Sequence, residues 1–325
     1  LIGISPEKIN LFSFFDLWVN TFKKGIVGPD HLNKISSTRK SLVEFFGEST
    51  AIQQIDRMKY QQWINYMGIT QNRAKKTVTD KHKIAKAVFQ EAIDSGYLLR
   101  DPSKRIVVTG RDTTGERKMT LTLDEWKKLK SVILSSQDSA SKYICLVMMY
   151  LGTRFAETAG LLKGDFDFEN QTVSITKAFD YKRTKQNSTT KTAGSVRTIH
   201  MPTQLGNIME EYIRGLEKRR KIVSLHSPDD IFLFTNELGQ PITNAAINKF
   251  LAKKCKEASI NKITSHAFRH AKTDLLVLAG NDIIYTQKQL GHSDSSTTLK
   301  YYSSLNNDIK QKNDKIIDSF FENAK

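Results

Sequence analysis

Period-two alternation of apolar and polar residues is confined to one block of this chain. It runs through "FDFENQTVSIT" from Phe166 and "GSVRTIHMP" from Gly194, joined by the polar stretch "KAFDYKRTKQNSTTKTA". Alternation marks half-buried strands, so any sheet here is small and built from short runs. The rest of the chain repeats at helical spacing. The fold class that follows is mainly α, with a small antiparallel β-sheet in the C-terminal part.

In the first third, "INLFSFFDLWVNTFKK" sets Leu11, Phe15, Trp18 and Phe22 on one helical face. "SSTRKSLVEFFG" reads as a helix from a Ser/Thr cap to Gly47, and "DRMKYQQWINYMG" as one ending at Gly68. The longer run "NRAKKTVTDKHKIAKAVFQEAIDSG" has Val78, Ile84, Ala85, Val88, Phe89 and Ile93 as its apolar positions. Periodicity then fails in "RDPSKRIVVTGRDTTGERK", a basic linker by composition. The boundaries expected are a helical domain over 1–102, a linker over 103–118 and a second domain over 119–325. That second domain opens on a helix capped by Thr122 and includes "SKYICLVMMYLGTRFAETAGLL", one or two buried helices broken at Gly152.

Charge narrows the partners. Fifty Lys and Arg against 34 Asp and Glu leave a formal +16, an excess that points to a polyanion, most often nucleic acid. One face of the long N-terminal run carries Arg73, Lys75, Lys76, Lys81, Lys83 and Lys86, with few acidic partners, and the linker adds Lys104, Arg105 and Arg111. These nine are the candidate contacts to a phosphate backbone. The two cysteines, Cys145 and Cys255, sit far apart in apolar or helical runs and read as buried thiols. Without an 18-residue apolar run or a signal-peptide pattern, the expected location is cytoplasmic, with no membrane partner. The chain opens on "LIGISPEKINL" with no Met, which fits a piece of something longer.

The chemistry is concentrated in three places. Arg154 lies among apolar residues in "LGTRFAETAGLL", with Glu157 three positions on. An internal ion pair and a phosphate-facing fork oriented by Glu157 are both open on these residues. In "TSHAFRHAKTDLLVLAG", a helix capped by Ser265 or Thr264 puts His266 and Arg269 one turn apart at an anion-favouring N-terminus. His270 raises a zinc site, but the helix lacks the HExxH glutamate. Asp165, Asp167 and Glu169 form a conceivable Mg²⁺ cluster and are more simply a solvated strand face. In "LGHSDSSTTLKYYSSL", Gly291 ends a helix, His292 falls on the turn, and Tyr301 and Tyr302 follow. Two guanidiniums, two imidazoles and a phenol suit nucleophilic attack on a phosphodiester. No P-loop is present, so nothing suggests nucleotide hydrolysis.

An Arg, then HxxR, then LGH with a Tyr nine residues after that His resembles the tyrosine recombinase family. "KTAGSVRTIHMP" is similar to the family's lysine-presenting β-hairpin, which makes Lys191 the catalytic lysine, with Lys177, Lys182 and Lys185 as rivals in the same long loop. The resemblance spans roughly 118 to 304 and, more weakly, the N-terminal third. It implies catalytic Arg154, Lys191, His266, Arg269, His292 and Tyr301, a helical core-binding domain and a catalytic domain closed as a clamp on duplex DNA, and no metal or cofactor. It also implies a 3′-phosphotyrosyl intermediate and integration or excision of a mobile element, by a tetramer on DNA with the C-terminal tail docked in trans and a directionality factor assisting. Integrases of phages and integrative elements are the nearest type, and many carry a further N-terminal arm-binding domain whose absence would fit the abrupt start. The competing readings are a type IB topoisomerase and a catalytically silent DNA-binding protein.

Overall fold

The computed structural model describes residues 8–113, 120–180, 184, 186–189, 196–220, 232–237 and 239–291. The chain divides into two compact units, Leu1–Glu116 and Arg117–Lys325.

The first unit is built on four helices: α1 (Leu11–Phe22), α2 (Pro29–Phe46), α3 (Arg57–Asn65) and α4 (Lys75–Asp94). The Asn10 side chain starts α1 by accepting from the amides of Phe12 and Ser13, a cap worth about 1 kcal/mol. Leu11, Phe15 and Trp18 turn inward as their spacing requires, whereas Phe22, in the last turn, is largely exposed. The start of α2 differs from the sequence reading. It begins at Pro29 behind Gly28, and the Ser/Thr cluster lies inside the helix. Those hydroxyls serve other purposes. Thr38 Oγ1 donates to the Lys34 carbonyl, and Ser41 accepts from the buried Trp63 indole at 3.3 Å.

Gly68 does not end a helix. A five-residue π-turn, Tyr66–Thr70, continues from α3, and a Cβ on Gly68 would stand 2.4 Å from Thr109 Oγ1 and 2.5 Å from the Thr109 carbonyl carbon. The glycine is needed because another backbone passes there. That backbone is the segment read as linker, and its first half is bound to the first unit. Gln61 exchanges two hydrogen bonds with the Val107 backbone, at 2.8 and 2.9 Å. Thr109 Oγ1 donates to the Ile64 carbonyl, and Arg111 pairs in parallel with Ala74 through Arg73 and Lys75. Periodicity misses such a strap because its hydrogen bonds go to a helix side chain and to single bridges, with no ladder to impose alternation.

The second unit is wrapped around α6 (Ala140–Leu151), every residue of which from Tyr143 onward is buried. A helix apolar on all sides must be central, and α6 packs against α5 (Leu123–Leu134), α7 (Phe155–Ala159) and the later helices α8 (Thr203–Arg220), α9 (Asn244–Glu257) and α10 (His266–Leu278). Thr122 caps α5 as expected, in a reciprocal box with Glu125. The alternating block forms an antiparallel sheet of β1 (Phe166–Asp167), β2 (Thr172–Ile175) and β5 (Arg197–His200), in that order. The stretch read as a polar connection contributes a separate antiparallel ribbon, β3 (Lys177–Phe179) with β4 (Asn187–Thr189). Its residues are too polar and its strands too short to show a period. The last described helix is α11 (Ile283–Leu290). Cys145 and Cys255 are both buried and free, as read.

Gly68→Ala is expected to destabilise the protein by about 1–3 kcal/mol, the usual cost of overpacking against atoms that cannot yield. The measurement is the urea midpoint of the first unit's transition; an unchanged midpoint would show that the strap gives way.

Candidate active site

The break between α6 and α7 places the first arginine. Gly152 ends α6 in the left-handed conformation at φ 69°, and a Cβ there would lie 2.8 Å from the Lys272 side chain and 2.9 Å from Leu290. Arg154 then takes the N-cap position of α7 in extended geometry. Its own amide donates to Glu157 Oε2 at 2.9 Å and its Nη1 to Glu157 Oε1 at 2.7 Å, while Nη2 reaches the Gly291 carbonyl at 3.4 Å. The two readings left open for this arginine are therefore compatible. Glu157 is only 3% exposed, but the Arg154 side chain keeps 43% of its surface in solvent.

Glu157 has a second cation, which the sequence reading did not single out. Arg197, on β5, donates from Nη2 to Glu157 Oε2 at 3.0 Å and from Nε to the Gln289 carbonyl at 3.0 Å, with its side chain 7% exposed. The signal was present in the alternation: Arg197 shares strand parity with Ile199 and Met201, both buried, so a guanidinium was placed on the inward face. Burial works to raise the Glu157 carboxyl, but the hydrogen bond and charge of Arg197, with the amide and charge of Arg154, outweigh it and hold the group ionised below its ordinary value.

α10 supplies the next pair. The expected Ser265 cap is not made. Its hydroxyl donates to Asn244 Oδ1 and its amide to Asn248 Oδ1, both on α9, so the residue anchors the start of α10 sideways. Arg269 is 3% exposed and donates from Nη1 to the Gly152 carbonyl at 3.2 Å, which ties α10 to the turn that carries Arg154. His266, one turn earlier, lies at the surface. Burial, then the charges of Arg269 and Arg154, lower its pKa below the ordinary 6.5. His270 packs edge-on against His266 with ring centroids 4.6 Å apart, and burial with the neighbouring His266 and Arg269 brings it down to about 4. Both imidazoles are thus shifted toward the neutral form, in which His266 can accept a proton.

α11 ends at Gly291 with φ 66°, and a Cβ there would come within 2.8 Å of Arg197 Nη1. The left-handed backbone favours glycine at this turn, and any larger residue would also displace the Arg197 guanidinium. His292 follows directly in sequence; His292, Tyr301, Tyr302, Lys191 and the C-terminal tail lie outside the described residues. Among the rival lysines, Lys177 is described, and it is committed to Asp165 Oδ1 at 2.8 Å. Asp165 also accepts from the Leu162 amide, and Asp167 from Asn170, so two of the three acidic residues considered for Mg²⁺ are engaged locally. Among the described residues no group of three or more His, Cys, Asp or Glu is arranged to hold a metal ion.

The basic candidates of the first unit divide. Lys75, Lys76, Lys83, Lys86, Lys104, Arg105 and Arg111 are exposed and Arg73 is half-buried, with Lys76 paired to Asp80. Lys81 departs from the expectation. It turns inward, donating to the Ser37 carbonyl and, at 2.7 Å, to Ser37 Oγ, and burial with the nearby Arg73 lowers its pKa to about 8. Helical spacing puts it on the same face as Val78, Ile84 and Ala85, so the periodicity of α4 itself turns it inward, and Ser37 on α2 satisfies its ammonium there.

Residues 119–308, more than half of the chain, match the model of the phage integrase family. A XerC-like tyrosine recombinase of Caldanaerobacter subterraneus subsp. tengcongensis is 27% identical over 80% of this chain and 69% of its own length. The integrase of Staphylococcus phage L54a is 30% identical over 53% of this chain, which spans only 51% of that relative. The integrase of the Tn1549 transposon, solved with a circular intermediate DNA, superposes with a TM-score of 0.80 at 20% identity, covering 95% of this chain and 99% of the other, and so shares the fold. With its second unit matched by the family model and its paired arginines set around His266, the chain belongs to the phage integrase family of tyrosine recombinases.

Proposed function

We propose that the protein is a site-specific DNA recombinase that cuts and rejoins duplex DNA through a covalent 3′-phosphotyrosyl link, to integrate or excise a mobile element. The observation that carries this reading is the convergence of Arg154, Arg269 and His266 beside the turn that leads to His292. Strand transfer needs that set. The Tyr301 phenol oxygen attacks phosphorus, the bond to the 5′-oxygen breaks, and the tyrosine ester keeps the phosphate. Arg154 presents its exposed fork to the non-bridging oxygens, and Arg269 adds positive charge from beneath. His266 takes the phenol proton, His292 donates a hydrogen bond to the phosphate, and Lys191 delivers a proton to the leaving 5′-oxygen. Attack by a 5′-hydroxyl of the partner strand reverses each transfer. One ester replaces another, so no external energy source is required.

Nucleophile assignment rests on spacing. Tyr301 is the ninth residue after His292, and Tyr302 points about 100° away if the segment is helical. Tyr301→Phe is expected to abolish the covalent adduct on a nicked suicide duplex while leaving DNA affinity in place; Tyr302→Phe is expected to keep the adduct. An adduct mapped to Tyr302 would reverse the assignment. Failure of the unmodified protein to form any adduct would instead favour a silent DNA-binding protein, and relaxation of supercoiled DNA without strand exchange would favour a type IB topoisomerase.

The two units are proposed to close on duplex DNA, with the exposed cations of α4 and the strap against phosphates. Affinity should then fall steeply with salt, each phosphate contact contributing about 0.9 to the logarithmic slope. Lys83→Ala should reduce that slope by about one, whereas Lys81→Ala should leave it unchanged and lower stability, because Lys81 is spent on Ser37. Equal slopes for both variants and the parent would remove α4 from the interface.

A tetramer on DNA, with the tail after Asn306 docked on a neighbouring copy and a directionality factor biasing the outcome, completes the proposal. Its support is the apolar spacing of Leu305, Ile309, Ile316 and Phe320. Truncation after Asn306 should preserve DNA binding and reduce assembly, measured by gel shift on a two-site duplex. Normal assembly by the truncated chain would assign the tail to its own domain.

A further inference from the structure

Three segments distant in sequence meet at one side chain. Arg197 sits at the start of β5, six residues after Lys191 in sequence. Its Nη2 binds Glu157, the carboxylate that holds Arg154, at 3.0 Å. Its Nε binds the Gln289 carbonyl at the end of α11, at 3.0 Å. Gly291, whose own carbonyl accepts from Arg154, passes so close that a Cβ there would lie 2.8 Å from Arg197 Nη1 and push the guanidinium aside.

Resting on the recombinase reading above, we propose that Arg197 is a positioning residue: through Glu157 and the Gln289 carbonyl it holds the Arg154 fork and the turn into His292 in one fixed frame. The charge count explains why a second arginine is present. One buried carboxylate lies between two guanidiniums, so the cluster carries a net +1. With Arg197 absorbing much of the Glu157 charge, Arg154 keeps its exposed face for a phosphate. Without Arg197, Glu157 would draw Arg154 into a closed, neutral pair. The Gly291 turn would also lose the donor that anchors the end of α11. Arg197 touches neither the phosphate nor the nucleophile in this scheme, so its removal should slow chemistry and leave binding intact.

The test uses the full chain and single-turnover cleavage of a suicide duplex at saturating protein, with DNA affinity and melting temperature measured alongside. Arg197→Met should leave affinity within about twofold and slow adduct formation by about 10²-fold, the scale of an ångström-sized misplacement. Arg197→Lys, which keeps the charge but cannot serve Glu157 and Gln289 together, should fall between. The discriminating variant is Arg197→Met with Glu157→Gln. Neutralising the carboxylate releases Arg154, so the double variant should cleave faster than Arg197→Met alone. Wild-type cleavage by Arg197→Met would overturn the proposal. So would losses that track the melting temperature and simply add in the double variant, because they would make Arg197 a core ion pair only. If the unmodified protein binds the duplex but forms no adduct, the recombinase reading itself fails, and that result is distinct from either.

Discussion

A single buried carboxylate, Glu157, organises the catalytic unit. Removing one partner from a buried ion pair typically costs about 3–5 kcal/mol, because the remaining charge is stranded away from water. Glu157 avoids that cost with two guanidiniums and a backbone amide. Those bonds join α7, β5 and, through Arg197 and Arg154, the end of α11. The groups that meet there come from positions near 154, 197 and 290, so the carboxylate converts a sequence-dispersed set into a local one.

The second support is α6. Its apolar surface on every side makes it the axis around which the other helices of the unit pack, and the glycine that ends it turns the chain sharply enough to bring Arg154 to the surface. Arg269 closes the same turn from the other side by binding the Gly152 carbonyl. Both arginines of the proposed phosphate site are therefore referred to one rigid element, which suits a reaction in which charge must be in place before it develops.

In the first unit the same economy appears in its backbone. The strap through Val107, Thr109 and Arg111 is held by Gln61 and by the bridge at Ala74, and Gly68 is small because the strap crosses it. The arrangement fixes Arg111 beside Arg73 and Lys75 as one basic edge. In the proposed complex that edge faces phosphate with little conformational freedom left to lose.

The sequence by itself determined the helices with strong amphipathic or wholly apolar patterns, the α6 break at Gly152 and the two alternating runs of the small sheet, and it singled out Arg154, His266 and Arg269 as candidates. Each of these is written locally, in periodicity, capping chemistry or short spacing. Spacing also singled out Lys191, His292 and Tyr301, which lie outside the described residues. The tertiary structure alone decided the rest. It gave Lys81 its partner, a carbonyl on α2, drew Ser265 away from its helix cap to α9, built the β3–β4 ribbon from a polar stretch, and put Arg197 beside Glu157. The side-chain outcomes depend on partners 17 to 44 residues away along the chain. A side chain's local pattern states only that it must be satisfied; which distant group satisfies it is settled when the elements pack.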